Sequence, residues 1–405
     1  MMNTGNYITT PMPPGFSKTK AGPELESFRL PKYVVGPWDI DGALSDIYLR
    51  EIPTGLSDSR NAVAAVKSAS GFAYPGLENI LDKHNFIVGF RSSRIAPNPT
   101  PRSRIFQLRN TVLEFATDAD ASAAVTDTAA VVEADAKELV GADGNVFFNL
   151  DENDAPITSL SIPGHPETIV LVRSNGDKSF VSAFTPYGRF VLHQFAVVKE
   201  ILIENELSSP NEYQNVQMAI MTVLLRQEGL IDDFNPTDPG KWTELAAHLP
   251  FELIERSLRA LSESDLAGAS VGIFKPWGYL HFEYDPIAFK ALFSGAHIEW
   301  VSQILTTVYQ AENEANAVTM FDGLSDLIKK RRSVVDISPP EGLPSANCFE
   351  RTTDASRDSD PPSLKRINWR YKCVGQIDKY AFTAYSNDEV DVKQQTAAQY
   401  QLLMS

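Results

Sequence analysis

The sequence predicts an α+β protein with two similar halves from internal duplication, each an antiparallel sheet packed with helices. Its strongest local pattern covers residues 104–130, RIFQLRNTVLEFATDADASAAVTDTAA, where an apolar, β-branched run reaches Thr117-Asp118 and gives way to an alanine-rich helical segment. The same strand, cap and helix order recurs over residues 300–324, WVSQILTTVYQAENEANAVTMFDGL. The length of 405 residues agrees, because one hydrophobic core rarely grows beyond about 250–300 residues.

Three alignments relate the two halves: Thr111 on Thr307, Gly188 on Asp378, and Ala219 on Ala397. The first brings the opening turns of two helices into register and matches Asp118 with Glu314. The second aligns a turn between strands, and the third aligns the helices that close each half. Each half therefore reads strand, helix, several antiparallel strands, helix.

Composition shifts divide the chain into three parts. Prolines without a hydrophobic period predict an extended N-terminal arm over residues 1–24. The clearest linker signal lies at residues 231–240, which contain Asn235-Pro236 and Asp238-Pro239-Gly240. We therefore expect an N-terminal α+β domain over residues 25–232 and a C-terminal α+β domain over residues 233–405.

The elements of the first half follow from apolar period and turn residues. We predict strand character over 25–35, helices over 61–68 and 74–83, a strand over 86–92, four meander strands over 159–162, 167–173, 180–184 and 189–198, and a helix over 212–228. Asn175-Gly176 is a strong signal for a two-residue hairpin turn. Residues 138–154 form an acidic, glycine-containing excursion before the meander.

The second half repeats this order with different turns. We predict a helix over 249–261, a strand over 279–284, a helix over 288–293, two strands around the cysteines, a strand over 379–385 and a helix over 394–403. Asp285-Pro286 supplies a cap followed by proline at the first helical position. The basic run over residues 329–332, KKRR, could bind nucleic acid or anionic lipid, but a solvated helix C-terminus explains it more simply.

Composition and charge exclude several classes of protein. The chain is 43% hydrophobic and 22% charged, which is ordinary globular composition. Lysine plus arginine number 36 against 52 aspartate plus glutamate, a net charge of −16 that disfavours nucleic acid as a partner. The sequence has no run of 18 apolar residues and no signal-peptide pattern at its start. An exported protein whose leader has been removed would read in the same way.

Only two cysteines occur, Cys348 and Cys373, each in a strand-like run with aromatic neighbours. Two such strands can pair and bring the sulfurs together, in a bridge that contributes roughly 3 to 4 kcal/mol. Two buried free thiols are the alternative. A bridge would place the protein in an oxidising compartment.

No motif identifies a reaction or a cofactor. The sequence has no GxSxG, GxxxxGK[ST], HExxH, or GxGxxG after a strand. Among its six histidines, His281 with Glu283 comes closest to metal-ligand spacing, although a solvent-facing strand edge explains the pair better. We predict no metal site, no cofactor and no catalytic residues, and we lean away from an enzyme.

Aromatic residues in the meanders are the one feature with binding potential. The candidate ligand contacts are Tyr187, Phe190, Trp369 and Tyr380. On strands, alternate members of such a set build the core while the others can line a groove. Packing in the core is the simpler interpretation, and a pocket for an apolar ligand or partner is the alternative.

Several modest motifs occur along the chain: Thr4-Gly5-Asn6-Tyr7, YVVGPW at 33–38, YGRFV at 187–191, Asp285-Pro286, Thr307-Val308-Tyr309, and the pair Cys348 and Cys373. Together they resemble a family of cell-envelope lipoproteins of unknown function from mycolic-acid-bearing actinobacteria. The resemblance implies an exported precursor with a lipid-modified cysteine upstream of Met1. It brings no catalytic residues, and the lipobox itself is absent from this sequence.

These observations predict a non-enzymatic exported envelope protein that binds or presents a cell-wall lipid, a glycan or a partner protein. The alternatives are an envelope hydrolase whose triad is assembled from distant residues, and a scaffold with no small ligand. We expect the protein outside the cytoplasm, secreted or held at the membrane only through a lipid anchor.

Overall fold

The computed structural model describes residues 2–13, 22–49, 51–67, 74–97, 105–131, 158–175, 178–199, 213–245, 249–262, 265–266 and 270–405. It divides the chain into two compact units. The N-terminal unit is Tyr33–Pro236, and the C-terminal unit is Met1–Lys32 with Thr237–Ser405. The acidic excursion predicted over 138–154 lies outside the described residues.

The helices of the described chain are α1 (Pro23–Arg29), α2 (Pro37–Ile40), α3 (Ser59–Lys67), α4 (Leu77–Lys83), α5 (Asp118–Val131), α6 (Gln214–Asp232), α7 (Trp242–Leu245), α8 (Phe251–Glu255), α9 (Pro276–Tyr279), α10 (Pro286–Gly295), α11 (Glu314–Lys329), α12 (Pro362–Ile367) and α13 (Glu389–Met404). Short 3-10 turns cover Leu30–Tyr33, Pro239–Lys241 and Leu280–Phe282. As predicted, the Asp285 side chain caps α10 by accepting a hydrogen bond from the Ala288 amide, with proline at the first helical position.

The strands are β1 (Asp46–Ile47), β2 (Thr54–Leu56), β3 (Phe86–Ile95), β4 (Ile105–Phe115), β5 (Thr158–Ile162), β6 (His165–Asn175), β7 (Lys178–Tyr187), β8 (Phe190–Lys199), β9 (Gly272–Phe274), β10 (Ile298–Gln303), β11 (Thr307–Ala311), β12 (Val334–Ile337), β13 (Asn347–Arg351), β14 (Tyr371–Ile377) and β15 (Tyr380–Ser386). In the N-terminal unit they form one sheet in the order β1-β3-β4-β8-β7-β6-β5, with β2 also beside β3. In the C-terminal unit the order is β12-β13-β14-β15-β11-β10-β9.

The two sheets have the same topology, which confirms a duplicated α+β fold. Each unit contains a hairpin (β3–β4 or β10–β11), a helix (α5 or α11), a four-stranded meander and a closing helix (α6 or α13). In each, the last meander strand pairs with the second hairpin strand, and every pairing is antiparallel.

The duplication extends to backbone details. Asn85 and His297 precede the first hairpin strand of their units, and both have positive φ, 54° and 45°. Each carbonyl accepts a hydrogen bond from the amide that follows the second hairpin strand, Ala116 in one unit and Glu312 in the other. Gly188 also matches Asp378, with φ of 53° and 47°. Asparagine and aspartate are the non-glycine residues that best tolerate this region, so the turns keep their shape without glycine.

A buried glutamine repeats one polar contact in both units. The Gln227 side chain of α6 accepts from the Val35 amide and donates to the Tyr33 carbonyl, at 2.9 and 2.7 Å. The Gln399 side chain of α13 accepts from the Leu258 amide and donates to the Arg256 carbonyl, both at 2.8 Å. Each oxygen also accepts from one more side chain, Asn110 within β4 or Thr306 just before β11. Each closing helix is thereby bonded to a segment that directly follows a short helix or 3-10 turn.

Three predicted elements differ from the structure. Residues 25–35, predicted as strand, form α1 and a 3-10 turn, and residues 279–284, predicted as strand, form the end of α9 and another 3-10 turn. Pro23 and Pro276 occupy the first helical positions, where proline favours the start of a helix. The prediction of strands was wrong because the apolar periodicity of a short run does not distinguish helix from strand. The helix predicted over 249–261 shortens to α8, and Leu258 then forms part of a buried apolar cluster.

Residues 2–13 of the predicted N-terminal arm contain neither helix nor strand, whereas its last two residues, Pro23 and Glu24, begin α1. The segment 2–13 packs within the C-terminal unit. The Tyr7 hydroxyl donates to Asp391 at 2.7 Å, and the Met12 amide donates to the Glu255 carbonyl at 3.0 Å. Met12 is buried in the same apolar cluster as Phe382 and Leu403.

Candidate functional site

Both sheets bury polar side chains at matching positions on one face. Three strands side by side supply Arg91, Thr111 and His193 in the N-terminal unit and Gln303, Thr307 and Thr383 in the C-terminal unit. All six are buried. Buried polar groups need partners, so the contacts that each unit provides decide what its cluster can do.

In the N-terminal unit the cluster is built around a buried ion pair. Arg109 and Glu51, both fully buried, approach to 3.4 Å. The Arg109 guanidinium also donates to the Ala65 and Val66 carbonyls and lies 4.8 Å from the ring centre of Phe195. These contacts hold the Arg109 charge inside the core.

A serine and a histidine meet beside this ion pair. Ser182 Oγ lies 3.0 Å from His193 Nε2 and 2.7 Å from the Tyr74 hydroxyl. The His193 ring stacks on Phe184, with 4.3 Å between ring centres. Burial, and then the charge of Arg109, lower the His193 pKa well below its usual range. The imidazole is therefore neutral at physiological pH.

This pair does not complete a catalytic triad. Within the described residues, His193 Nδ1 has no hydrogen-bond partner, whereas a triad needs a carboxylate at that nitrogen. Ser182 and His193 are also fully buried, so no substrate reaches the hydroxyl. The contact is a core polar network.

In the C-terminal unit the corresponding cluster contains tyrosines and a carboxylate. The Tyr279 hydroxyl donates to Gln303 at 2.7 Å, and the Tyr309 hydroxyl donates to Glu283 at 2.9 Å. All four side chains are buried. Burial, with Glu283 nearby, raises the pKa values of Tyr279 and Tyr309 above the usual range, so both remain neutral donors.

Three cations surround this carboxylate. Buried Arg366, on α12, donates to the Phe282 carbonyl at 2.6 Å. Arg331, just after α11, lies 4.3 Å from the Tyr284 ring centre and 5.8 Å from that of Trp369, and it donates to the Ile367 carbonyl at 3.3 Å. Lys372 lies on β14. We call Arg331, Arg366 and Lys372, with Glu283 and Tyr385, the cationic cluster.

Lys372 and Tyr385 lie directly opposite each other on β14 and β15. Side chains at opposed positions share one face of the sheet, with Cβ atoms about 4.5–5.5 Å apart. The Tyr385 hydroxyl is buried and has no hydrogen-bond partner in the described part of the chain, and no hydrogen bond or ion pair joins Lys372 to a described residue. The Lys372 pKa is lowered to about 8, mainly by burial; Glu283 opposes this shift, and Arg366 and Arg331 add to it.

This arrangement offers hydrogen-bond donors to a ligand. Lys372 and Arg331 are partly exposed, so the cluster reaches the surface. Ammonium, guanidinium and phenol groups are all donors to oxygen. The C-terminal cluster can therefore hold an acceptor-rich group.

A disulfide holds the strand that carries Lys372. Cys348 on β13 and Cys373 on β14 are bonded to each other at opposed positions of the ladder. The predicted bridge is confirmed, and the alternative of two free thiols is wrong. Both cysteines are buried against Tyr371, Ala384 and Val392, on the face opposite Lys372.

The four aromatic candidates from the sequence lie in different surroundings. Tyr187 and Phe190 are opposed across the β7–β8 turn. The Tyr187 hydroxyl donates to Asp232 at 2.7 Å, and this hydrogen bond raises the pKa of Tyr187 to about 12. Phe190 packs on Phe234. Trp369, 1% exposed, lies beside Arg331 in the cationic cluster. Tyr380 is buried with Phe382 on the other face of the sheet. Ligand binding by these four residues stays a prediction.

Two interpretations of charged residues change. His281 and Glu283 do not form a solvent-facing strand edge: both are buried, with His281 Nε2 3.0 Å from the Pro31 carbonyl oxygen. Arg331, within the basic run interpreted as a solvated helix end, stacks on aromatic rings instead. Among the described residues, no group of three or more His, Cys, Asp or Glu side chains could hold a metal ion.

The fold and its clusters define a duplicated, disulfide-bonded α+β protein with one polar cluster in each unit. The chain belongs to the family DUF7373, a domain of unknown function, whose N-terminal model matches residues 14–247 and whose C-terminal model matches residues 253–405. No curated protein matches the chain.

One similar solved structure is the extracellular domain of PknH from Mycobacterium tuberculosis, with 11% identity and a TM-score of 0.29 over 50% of this chain and 94% of that chain. A score of this size does not establish a common fold. In the part of the chain that the structure describes, no helix is long and apolar enough to cross a membrane.

Proposed function

We propose that this protein is an exported envelope protein that binds a cell-wall lipid, a glycan or a partner protein without catalysing a reaction. The observation that carries the proposal is the cationic cluster of the C-terminal unit. It combines a surface-reaching lysine with a buried hydroxyl, and neither has a partner in the described chain. Such groups are stabilised when a ligand supplies the missing acceptors.

The disulfide supports a location outside the cytoplasm. Cytosolic glutathione and thioredoxin keep thiols reduced, and stable structural bridges belong mostly to oxidising compartments. Cys348 and Cys373 are 2% and 0% exposed, which is typical of a structural bridge. Anchoring by a lipid-modified cysteine upstream of this chain is the further part of the proposal, and it rests on the resemblance to envelope lipoproteins.

Binding is favoured over catalysis by the geometry of Ser182 and His193. An envelope hydrolase would need a nucleophile in contact with solvent and a carboxylate behind its histidine. This pair is enclosed in the core and has neither feature. The scaffold alternative predicts that the protein carries no small ligand at all.

The test is to recover the ligand from protein made in its own compartment. The full precursor, expressed in a mycolic-acid-bearing actinobacterium, is purified from the envelope fraction, and its organic extract, aqueous extract and co-purifying proteins are compared by mass spectrometry. The variant Lys372→Met is the matched sample, because methionine keeps the apolar stem and removes the ammonium. We expect a compound enriched in the wild-type extract and depleted in the variant.

Identical extracts from the two proteins, or recovery of the protein in the cytoplasm with reduced cysteines, would contradict the proposal. Metabolic labelling with an alkyne fatty acid tests the anchor separately. The proposal predicts a labelled protein that loses its label when the upstream cysteine is replaced.

A further inference from the structure

The charge balance of the cationic cluster is uneven. Among the described residues, the charges that act on Lys372 are one carboxylate, Glu283, and two guanidinium groups, Arg366 and Arg331. With Lys372 itself the cluster holds three positive charges and one negative charge. This excess is local, since the whole chain carries a net charge of −16.

The other ionisable groups around the cluster are mostly neutral. Tyr279, Tyr309, Tyr284 and Tyr385 all have raised pKa values, mainly because they are buried. Two more carboxylates act at its edges, Asp285 on Tyr284 and Asp265 on Tyr385. Neither is among the groups that act on Lys372.

Lys372 has no hydrogen-bond or ion-pair partner among the described residues. A charge of this kind in a partly buried place is costly, and a bound counter-ion removes the cost. The lysine keeps its proton for this purpose, because a pKa of about 8 leaves it roughly ten-to-one protonated at pH 7. The Tyr385 hydroxyl, opposite Lys372, is an unused donor on the same face. Arg366 lies close enough to interact electrostatically with the Glu283 carboxylate and with the Tyr279, Tyr309 and Tyr385 hydroxyls.

We propose that the cationic cluster is a phosphate-binding site in which Lys372, Arg366 and the Tyr385 hydroxyl contact the phosphate oxygens. The inference rests on the proposed binding function and names the chemistry of its ligand. A phosphate monoester carries a charge of about −1.5 to −2, which matches the local excess. Arginine and lysine are the usual phosphate contacts, and Arg331 adds charge at the partly exposed side.

The phosphate group could belong to a lipid headgroup or to a soluble compound, and two arms of one experiment separate these sources. The full chain, with its disulfide intact, is titrated with inorganic phosphate by calorimetry at pH 7 and low salt. It is also mixed with vesicles of phosphatidylcholine containing phosphatidic acid, and binding is measured by sedimentation. Pure phosphatidylcholine vesicles and sodium acetate are the ligand controls.

Two variants test the geometry. Tyr385→Phe removes one oxygen that has no partner, so it leaves the fold intact, and Lys372→Met removes the ammonium. We expect phosphate affinity to fall about ten-fold or more in each, because hydrogen bonds to charged groups are the strong ones. Lys379→Met is the matched control, since Lys379 belongs to the same hairpin but lies over Tyr380. It should bind as the wild type does.

Affinity should also fall as the pH rises through about 8, as Lys372 loses its proton. This pH dependence should disappear in Lys372→Met.

Tighter binding to phosphatidic acid vesicles than to inorganic phosphate would support a lipid headgroup, and the reverse would support a soluble phosphate. Absence of phosphate binding in both arms, or equal affinity in wild type, Tyr385→Phe and Lys372→Met, would overturn the inference. If the envelope extract then contained a bound compound without phosphate, the proposed binding function would hold and only the phosphate inference would fail.

Discussion

Removing the disulfide should destabilise the C-terminal unit by about 3.5 kcal/mol. The bridge joins residues 25 positions apart, and closing a loop of that length in the unfolded chain gives this value on the chain-entropy model. For a unit of roughly 200 residues the loss corresponds to a fall in melting temperature of roughly 7–14 °C. The perturbation is the double variant Cys348→Ala with Cys373→Ala.

The assay is equilibrium unfolding in urea, combined with hydrogen exchange of the strands on either side of the bridge. Amides of β13 and β14 should exchange faster in the double variant, whereas amides of β7 and β8 in the other unit serve as the internal reference. Wild-type protein kept in reductant is the matched control, because it retains both sulfurs and lacks only the bond. A double variant or reduced protein within about 1 kcal/mol of the oxidised wild type would refute the loop-closure reasoning.

Three further predictions concern buried polar groups and a helix cap. Gln399→Ala leaves the Leu258 amide and the Thr306 hydroxyl without an acceptor and should cost about 2–4 kcal/mol in urea unfolding, whereas the partly exposed Gln401→Ala should cost less than 1 kcal/mol. His193 has a lowered pKa, so below about pH 6.5 the unfolded chain binds a proton that the folded chain does not. The free energy of unfolding should therefore fall by up to about 1.4 kcal/mol for each unit by which the pH decreases, and His193→Gln should reduce this slope. Asn313 caps α11 by accepting from the Asn316 amide, so Asn313→Ala should lower the melting temperature by an amount equivalent to about 1 kcal/mol. Equal losses for the two glutamines, an unchanged pH slope, or an unchanged melting temperature would each contradict the corresponding prediction.

The duplication was predictable because it is encoded in local signals. Thr117 and Asn313 cap matching helices and accept hydrogen bonds from the amides of Asp120 and Asn316, as the alignment of Thr111 on Thr307 requires. The match of Gly188 with Asp378 holds because both turns need positive φ. Caps and turns depend on one or two residues, so the sequence alone reveals them.

The alignment of the closing helices, α6 and α13, could not be predicted from local signals. Placing Ala219 on Ala397 aligns Gln227 with Ser405. The hydrogen bonds instead make Gln227 equivalent to Gln399, because each glutamine donates to a backbone carbonyl and accepts from the amide two residues later. Alanines in a helix carry little register information. The partners of a buried glutamine, which lie far away in the chain, determine the equivalence.

Most of the candidate site was hidden from sequence reasoning for the same reason. Glu283, Arg366, Lys372 and Tyr385 lie on different elements, and no spacing between them is periodic. Glu283 attracted attention only through the neighbouring His281, as a metal pair that the structure does not form. Trp369, selected in advance as an aromatic next to a strand, lies beside the site through its contact with Arg331. Strand pairing brings Lys372 beside Tyr385, and this depends on the register of β14 with β15.

The most direct test of the central claim is a crystal of the oxidised protein soaked in sodium selenate, whose tetrahedral dianion mimics phosphate and scatters anomalously. The cationic cluster predicts a strong selenium peak within hydrogen-bond distance of the Lys372 ammonium and the Tyr385 hydroxyl, and no peak at that place in Lys372→Met. Selenate bound elsewhere, with Lys372 paired instead to Glu283, would contradict it.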